Sequence, residues 1–155
     1  MQFSIRPAQV PEDYKRIAAI ASTGGWEAVT TDMLAQEDAN FPADALRHRL
    51  VAVDRTDWVI GYGCVVRQSY DAPGYFAIKV TVDPTCRRAG VGSALLGQLE
   101  EWARDRGATH FEAKFRDDTV AFLAFAHKHW YREVGHPFGC IVAKKSPSRR
   151  ACVGP

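Results

Sequence analysis

The clearest pattern along the chain is helical. Val91, Ala94, Leu95, Leu99, Trp102 and Ala103 recur at three- and four-residue spacing, which predicts a helix over 90–106 that Gly107 stops. A second helix is expected from Asp118 to about His129, with Val120, Ala121, Ala124 and Phe125 on its apolar side. Nearer the start, Pro11, Glu12 and Asp13 suit a first helical turn, Tyr14, Ile17, Ala18, Ile20 and Ala21 supply the apolar face, and Thr23, Gly24 and Gly25 end it. Thr31 and Asp32 are placed to cap a short helix reaching about Asp38. Asn40-Phe41-Pro42 then breaks the pattern, and 43–48 reads as one further helical turn.

The other apolar runs have the two-residue period of strands. Strands are predicted over 2–6, 48–55, 58–68, 75–82, 110–115, 131–134 and 138–143. Turn residues at 54–57 join the second and third into a hairpin, and Asp71-Ala72-Pro73-Gly74 makes another turn. In the fourth strand Phe76, Ile78, Val80 and Val82 share one face. In the fifth, Phe111, Ala113 and Phe115 do. The order β-α-α-β-β-β-α-β-α-β-β belongs to the α/β class, with a mixed sheet and helices packed on it. Phe122, Phe125 and Trp130 read as an aromatic cluster packed against that sheet.

Composition narrows this only a little. A chain of 155 residues, 46% apolar and 25% charged, suits one domain with one core. We take 1–145 as the domain; the prolines, basic residues and glycine from Lys144 onward read as a disordered tail, 146–155. A net charge of +2 gives no global attraction to nucleic acid, so any basic function must be local. Cys64, Cys86, Cys140 and Cys152 show no zinc spacing, so no metal is expected. With no signal-peptide pattern and no run of 18 apolar residues, the expectation is a cytoplasmic protein that needs no membrane.

The chemistry concentrates at 80–93. A strand enters a short loop carrying Arg87, Arg88, Ala89, Gly90, Val91, Gly92 and Ser93, and a long helix leaves it. Two glycines allow close approach to the backbone, the helix start offers unpaired N–H groups, and two guanidinium groups stand beside them. That combination suits a pyrophosphate.

The Arg-x-x-Gly-x-Gly spacing at Arg87, Gly90 and Gly92 resembles the acyl-CoA loop of the GNAT superfamily of N-acetyltransferases. The element order and the block from Asp117 to Gly135 are similar to that family as well, so the resemblance covers about 2–145. It implies the GNAT fold, a central mixed, mostly antiparallel sheet flanked by helices. It also implies acetyl-CoA as co-substrate and a primary amine, on a small molecule or a peptide, that attacks it directly in a ternary complex. Val80, Thr81 and Val82 would then line the pantetheine arm, with Asp118 and Phe125 beside it, and Trp26 and Glu27 would border the acceptor. A homodimer is compatible with the strands at the C-terminal edge. Three positions depart from the family pattern: His129-Trp130 stands where Gly-Phe is usual, Phe125 where many members carry a tyrosine, and 75–81 holds no acid. A base for the amine is sought instead at Glu112, and a proton donor for the thiolate at Tyr131. Two other readings remain open here: an acyl-CoA-binding sensor or interaction module with little turnover, and a nucleic-acid binder using the arginine loop and the basic tail.

Overall fold

The computed structural model describes residues 2–24, 28–115, 120–135 and 140–145. Its elements are β1 (Ser4–Pro7), α1 (Tyr14–Gly24), α2 (Thr31–Ala39), β2 (Leu46–Val53), β3 (Val59–Arg67), β4 (Tyr75–Val82), a 3-10 turn at Pro84–Cys86, α3 (Val91–Arg104), β5 (His110–Phe115), α4 (Val120–Lys128), β6 (Arg132–Gly135) and β7 (Cys140–Lys145). The seven strands form one sheet in the order β1-β2-β3-β4-β5-β7-β6. Every neighbouring pair is antiparallel except β4 and β5, which run parallel.

The two faces bury different residues. On one, Val51, Val53, Val59 and Tyr62 pack under Ile17 and Ile20 of α1 and Leu34 of α2. On the other, Leu50, Ala52, Val65, Phe76, Ile78 and Phe111 meet Val91, Leu95 and Leu99 of α3. This gives three layers, with β3 and β4 covered on both sides.

Several boundaries differ from the sequence expectation, each for a physical reason. α1 begins at Tyr14, not at Pro11. Asp13 is held outside the helix by Arg6, whose two terminal nitrogens reach it at 2.7 and 3.1 Å, and by the Gln9 N–H at 2.7 Å. The helical turn expected over 43–48 is strand from Leu46. Arg47 and Arg49 there bind the carboxylate of Asp38 at 2.9 and 2.8 Å, which ties β2 to the end of α2. The cap of α2 is Thr30, one residue before the expected pair. Lys144 and Lys145, read as the start of a tail, pair with Phe111 and His110 as the last residues of β7. The remaining tail, 146–155, lies outside the described residues.

The buried stripe of α3 is also rotated from the predicted one. It runs through Val91, Leu95, Leu96, Leu99, Glu100 and Ala103. Glu100 is 4% exposed, accepts from the Tyr131 hydroxyl at 3.1 Å and pairs with Lys144 Nζ at 2.9 Å. A buried carboxylate is tolerated when a cation and a hydrogen-bond donor reach it together.

Burial alone would raise the Asp13 carboxyl's pKa, but Arg6 and the Gln9 N–H hold it below the usual value of 3.8. Its ion pair therefore stabilises the fold above about pH 4 and is lost as pH falls through the lower native value. Asp13→Asn should cost about 1–3 kcal/mol at neutral pH and flatten the acid limb of urea-denaturation stability. An unchanged acid limb would contradict this assignment.

Candidate active site

β4 and β5 run together for three residues only. Tyr75, Phe76 and Ala77 pair with His110, Phe111 and Glu112. Beyond Ala77, β4 stays paired with β3 as far as Val82, while β5 pairs with β7 to its end at Phe115. The strands therefore part at Ala77 and Glu112, and among the described residues the β4 edge beyond the fork has no strand partner. The Asp83 N–H donates to the Ile60 carbonyl at 2.8 Å. Bonded and non-bonded pairs alternate along an antiparallel ladder. It follows that Thr81 bonds to β3, whereas Val80 and Val82 turn their N–H and C=O groups into the gap. Of the three β4 positions expected to line the pantetheine arm, these two turn backbone groups into the gap and Thr81 does not. The Val82 carbonyl already accepts from Arg87 Nε at 3.3 Å.

An apolar cleft lies at this gap, lined by Ile78 and Val80 of β4, Leu96 of α3, Ala113 of β5, Phe125 of α4 and Tyr131. Tyr131 thus presents its ring to the cleft while its hydroxyl donates to Glu100. Burial first, and Glu100 second, push its pKa far above the ordinary phenol value.

The unpaired edge leads into the loop. Asp83 accepts from the N–H and hydroxyl of Thr85, at 2.9 and 2.7 Å, and from Arg16 at 3.0 Å. Arg16 also donates to the Val59 carbonyl at 2.8 Å, so α1 clamps the end of β4 against β3. These bonds, led by the Thr85 N–H, hold the Asp83 carboxyl below its usual pKa. The chain then turns through two left-handed residues, Arg88 at φ 64° and Gly90 at φ 84°. Gly90 is the N-cap of α3 and makes no side-chain cap, and the first turn holds no acid. The first helical bond runs from the Ala94 N–H to the Gly90 carbonyl at 3.0 Å. The N–H groups of Val91, Gly92 and Ser93 precede it and lack helical partners.

The two glycines have different reasons. A Cβ on Gly90 would meet no atom within 4 Å, so what the position requires is the positive φ. A Cβ on Gly92 would stand 3.3 Å from the Phe125 ring, so what it requires is room for α4. Arg87 and Arg88 are both exposed, and among the described residues nothing bonds the Arg88 guanidinium.

Ser93 Oγ lies 2.9 Å from His129 Nε2, and the His129 ring is tilted against Phe125 at 4.7 Å. The sequence suggests only a surface or turn histidine at 129, so this link is new. An i, i+4 aromatic–histidine pair following a helix-start serine is the only trace of it in the pattern. The expected aromatic cluster is smaller than supposed. Trp130 is 83% exposed, and the Phe122 side chain lies outside the described residues.

Glu112 stands at the fork on the face opposite α3. The Tyr75 phenol is its hydrogen-bonding neighbour; burial first and Glu112 second raise that phenol's pKa, so Tyr75 stays protonated and donates. An open groove of about 360 Å³ runs past them. Ile78 borders both this groove and the apolar cleft, which lie on opposite faces of the sheet beside the fork. Asp118, Trp26 and Glu27 lie outside the described residues. Among the described residues no group of three or more His, Cys, Asp or Glu could hold a metal, and no helix is long and apolar enough to cross a membrane.

The sequence model of the acetyltransferase (GNAT) family matches residues 15–131. The chain belongs to the GNAT acetyltransferase family. Solved structures agree on the fold. A GNAT superfamily phosphinothricin acetyltransferase from Sinorhizobium meliloti, in complex with acetyl-CoA, superposes with a TM-score of 0.78 at 17% identity, over 100% of this chain and 94% of that one. An N-acetyltransferase from Staphylococcus aureus Mu50 gives 0.71 at 18% identity, over 94% and 99%. A ribosomal-protein-alanine N-acetyltransferase from Brucella melitensis gives 0.69 at 20%, over 92% and 99%. No curated protein matches the chain.

Burial lowers the pKa of His129 below 6.5, with Lys128 and Lys144 adding to the effect and Glu100 opposing it. The imidazole is therefore mostly neutral at pH 7; when acid protonates it, Nε2 becomes a donor and the Ser93 hydroxyl oxygen the acceptor. An NMR titration should place His129 below 6.5, and Ser93→Ala should shift its ring resonances. A titration midpoint at or above 6.5 would contradict the burial of the ring, and ring resonances unmoved by Ser93→Ala would contradict the link.

Proposed function

We propose that this chain transfers an acetyl group from acetyl-CoA to an amine by direct attack. The observation that carries the reading is continuity. The free edge of β4 at Val80 and Val82 runs into the uncapped start of α3, so backbone donors follow one another along a line that an extended pantetheine and its pyrophosphate match. The Sinorhizobium protein of this fold was solved with acetyl-CoA, which supports the same use here.

In this reading the N–H groups of Ala89, Gly90, Val91, Gly92 and Ser93 hold the pyrophosphate, with Arg87 and Arg88 adding charge. The Val82 N–H and the Val80 carbonyl hydrogen-bond the pantetheine amides, and Phe125 with the apolar side chains beside it borders the arm. The Val80 N–H, the open donor nearer the fork, polarises the thioester carbonyl, an electrostatic contribution of about 3 kcal/mol. The substrate amine approaches through the groove on the other face and meets the thioester at the fork. Glu112 takes its proton, held in place by Tyr75. The amine nitrogen bonds to the acetyl carbon, the C–S bond breaks, and the thiolate leaves with the electron pair. We assign its protonation to water, because the Tyr131 hydroxyl proton is committed to Glu100.

Gly90→Val places a β-branched residue at φ 84° and should weaken acetyl-CoA binding, read by calorimetry, by at least about tenfold. Unchanged affinity would contradict the loop assignment. Glu112→Gln should lower kcat about a hundredfold with the KM for acetyl-CoA held; a kcat like that of the parent would remove Glu112 as the base.

A further inference from the structure

The groove on the Glu112 face carries a chemistry that restricts what enters it. It is lined by Val66, Gln68, Tyr70, Asp71, Tyr75 and Glu112, with Ala77 and Ile78 at its base. Two carboxylates therefore share it, one on the strand at the fork and one on the turn before β4. The Tyr75 phenol lies between their influences, since both Glu112 and Asp71 raise its pKa after burial has done so. Tyr70 is 84% exposed and forms part of the wall, presenting an aromatic ring on which a cation can rest. Asp71 is half-buried; one carboxylate oxygen accepts from the Gln68 N–H at 2.7 Å. Arg67 reaches the Asp71 backbone carbonyl at 3.4 Å and is not paired to the carboxylate. Of the other described cations around this face, Arg47 stands opposite Val66 in register and is paired with Asp38, while Lys79 and His110 are exposed; none of them, nor Arg67, is in the lining. Glu112 and Asp71 are the only charged residues among the described ones lining the groove, and both are acids.

We propose that the acceptor is a cationic amine whose second polar group is positive or neutral, of which a short diamine is the type. The inference rests on the acetyltransferase reading of the same site. One ammonium meets Glu112 at the fork, where it is deprotonated and acylated. The other end of the molecule lies over Tyr70 with its charge facing Asp71. An acceptor with a carboxylate at that far end meets Asp71 with like charge and no lining cation to offset it.

Three amines of one chain length isolate this term: 1,5-diaminopentane, pentylamine and 5-aminopentanoate, which differ only in a cationic, neutral or anionic far end. With acetyl-CoA saturating, kcat/KM should fall in that order. The diamine should lead pentylamine by about tenfold or more, as a charge-assisted contact to a half-buried carboxylate allows. Asp71→Asn keeps the oxygen that caps Gln68, and it should bring the diamine and pentylamine to within about threefold of each other, with the thermal midpoint unchanged. A faster reaction with 5-aminopentanoate, an Asp71→Asn variant that keeps the full diamine preference, or no turnover of any of the three would overturn the inference. Calorimetry with acetyl-CoA on the same samples separates this from the broader reading. If acetyl-CoA binds and the amine order is reversed, only the acceptor class is wrong. If acetyl-CoA does not bind, the acetyltransferase reading itself falls.

Discussion

The parting of β4 from β5 after Ala77 and Glu112 is the constraint on which everything else depends. A strand edge left open inside a protein exposes N–H and C=O groups that cost free energy unless something pairs with them. Here the edge is not closed by another strand, because β7 is inserted beside β5 and holds that strand on its own ladder. Among the described side chains only Arg87 bonds to it, and it reaches the last carbonyl only. The same line of the backbone continues through a left-handed turn into a helix start without a cap. Open edge and open helix end are two parts of one row of donors, and an extended acyl carrier ending in a pyrophosphate is the guest whose chemistry matches that row.

A fork in a sheet must be braced, and the braces can be named. Arg16 of α1 bonds both Val59 and Asp83, so the end of β4 cannot drift from β3. On the other face, α3 packs on β3 and β4, while its Glu100 reaches Lys144 on β7. That buried ion pair joins the helix on one arm of the fork to the strand bordering the other. Its contribution to net stability is small once desolvation is counted, so its value lies in fixing the width of the gap. The Tyr131 hydroxyl belongs to the same brace, since it donates to Glu100.

Much of this frame was legible in the residues. β4 and β5 begin and end where alternation and turn residues place them, since both are bounded by glycine or charged turns and carry apolar residues at every second position. The loop was legible because a pyrophosphate site needs glycine and arginine at close spacing. What escaped was everything decided between distant segments. Asp13 reads as a helix starter, yet it serves Arg6 from outside the helix. Arg47 reads as part of a helical turn, yet Asp38 draws it into β2. Glu100 lies off the predicted apolar stripe of α3, yet it is buried with Lys144 and Tyr131 on its carboxylate. Gly92 reads as a phosphate contact, and its first reason is the ring of Phe125. The fork itself has no signature in either strand, because its cause is where β7 inserts.

The central claim is that main-chain donors along β4 and at the head of α3 grip the acyl donor, and a chemical-shift titration of the backbone amides with acetyl-CoA tests it most directly. The account predicts that the largest changes fall on Val80 and Val82 and on residues 89–93, with the Thr81 amide, bonded to β3, moving less. Saturable binding that leaves Val80, Val82 and Gly92 unmoved while other amides shift would contradict it.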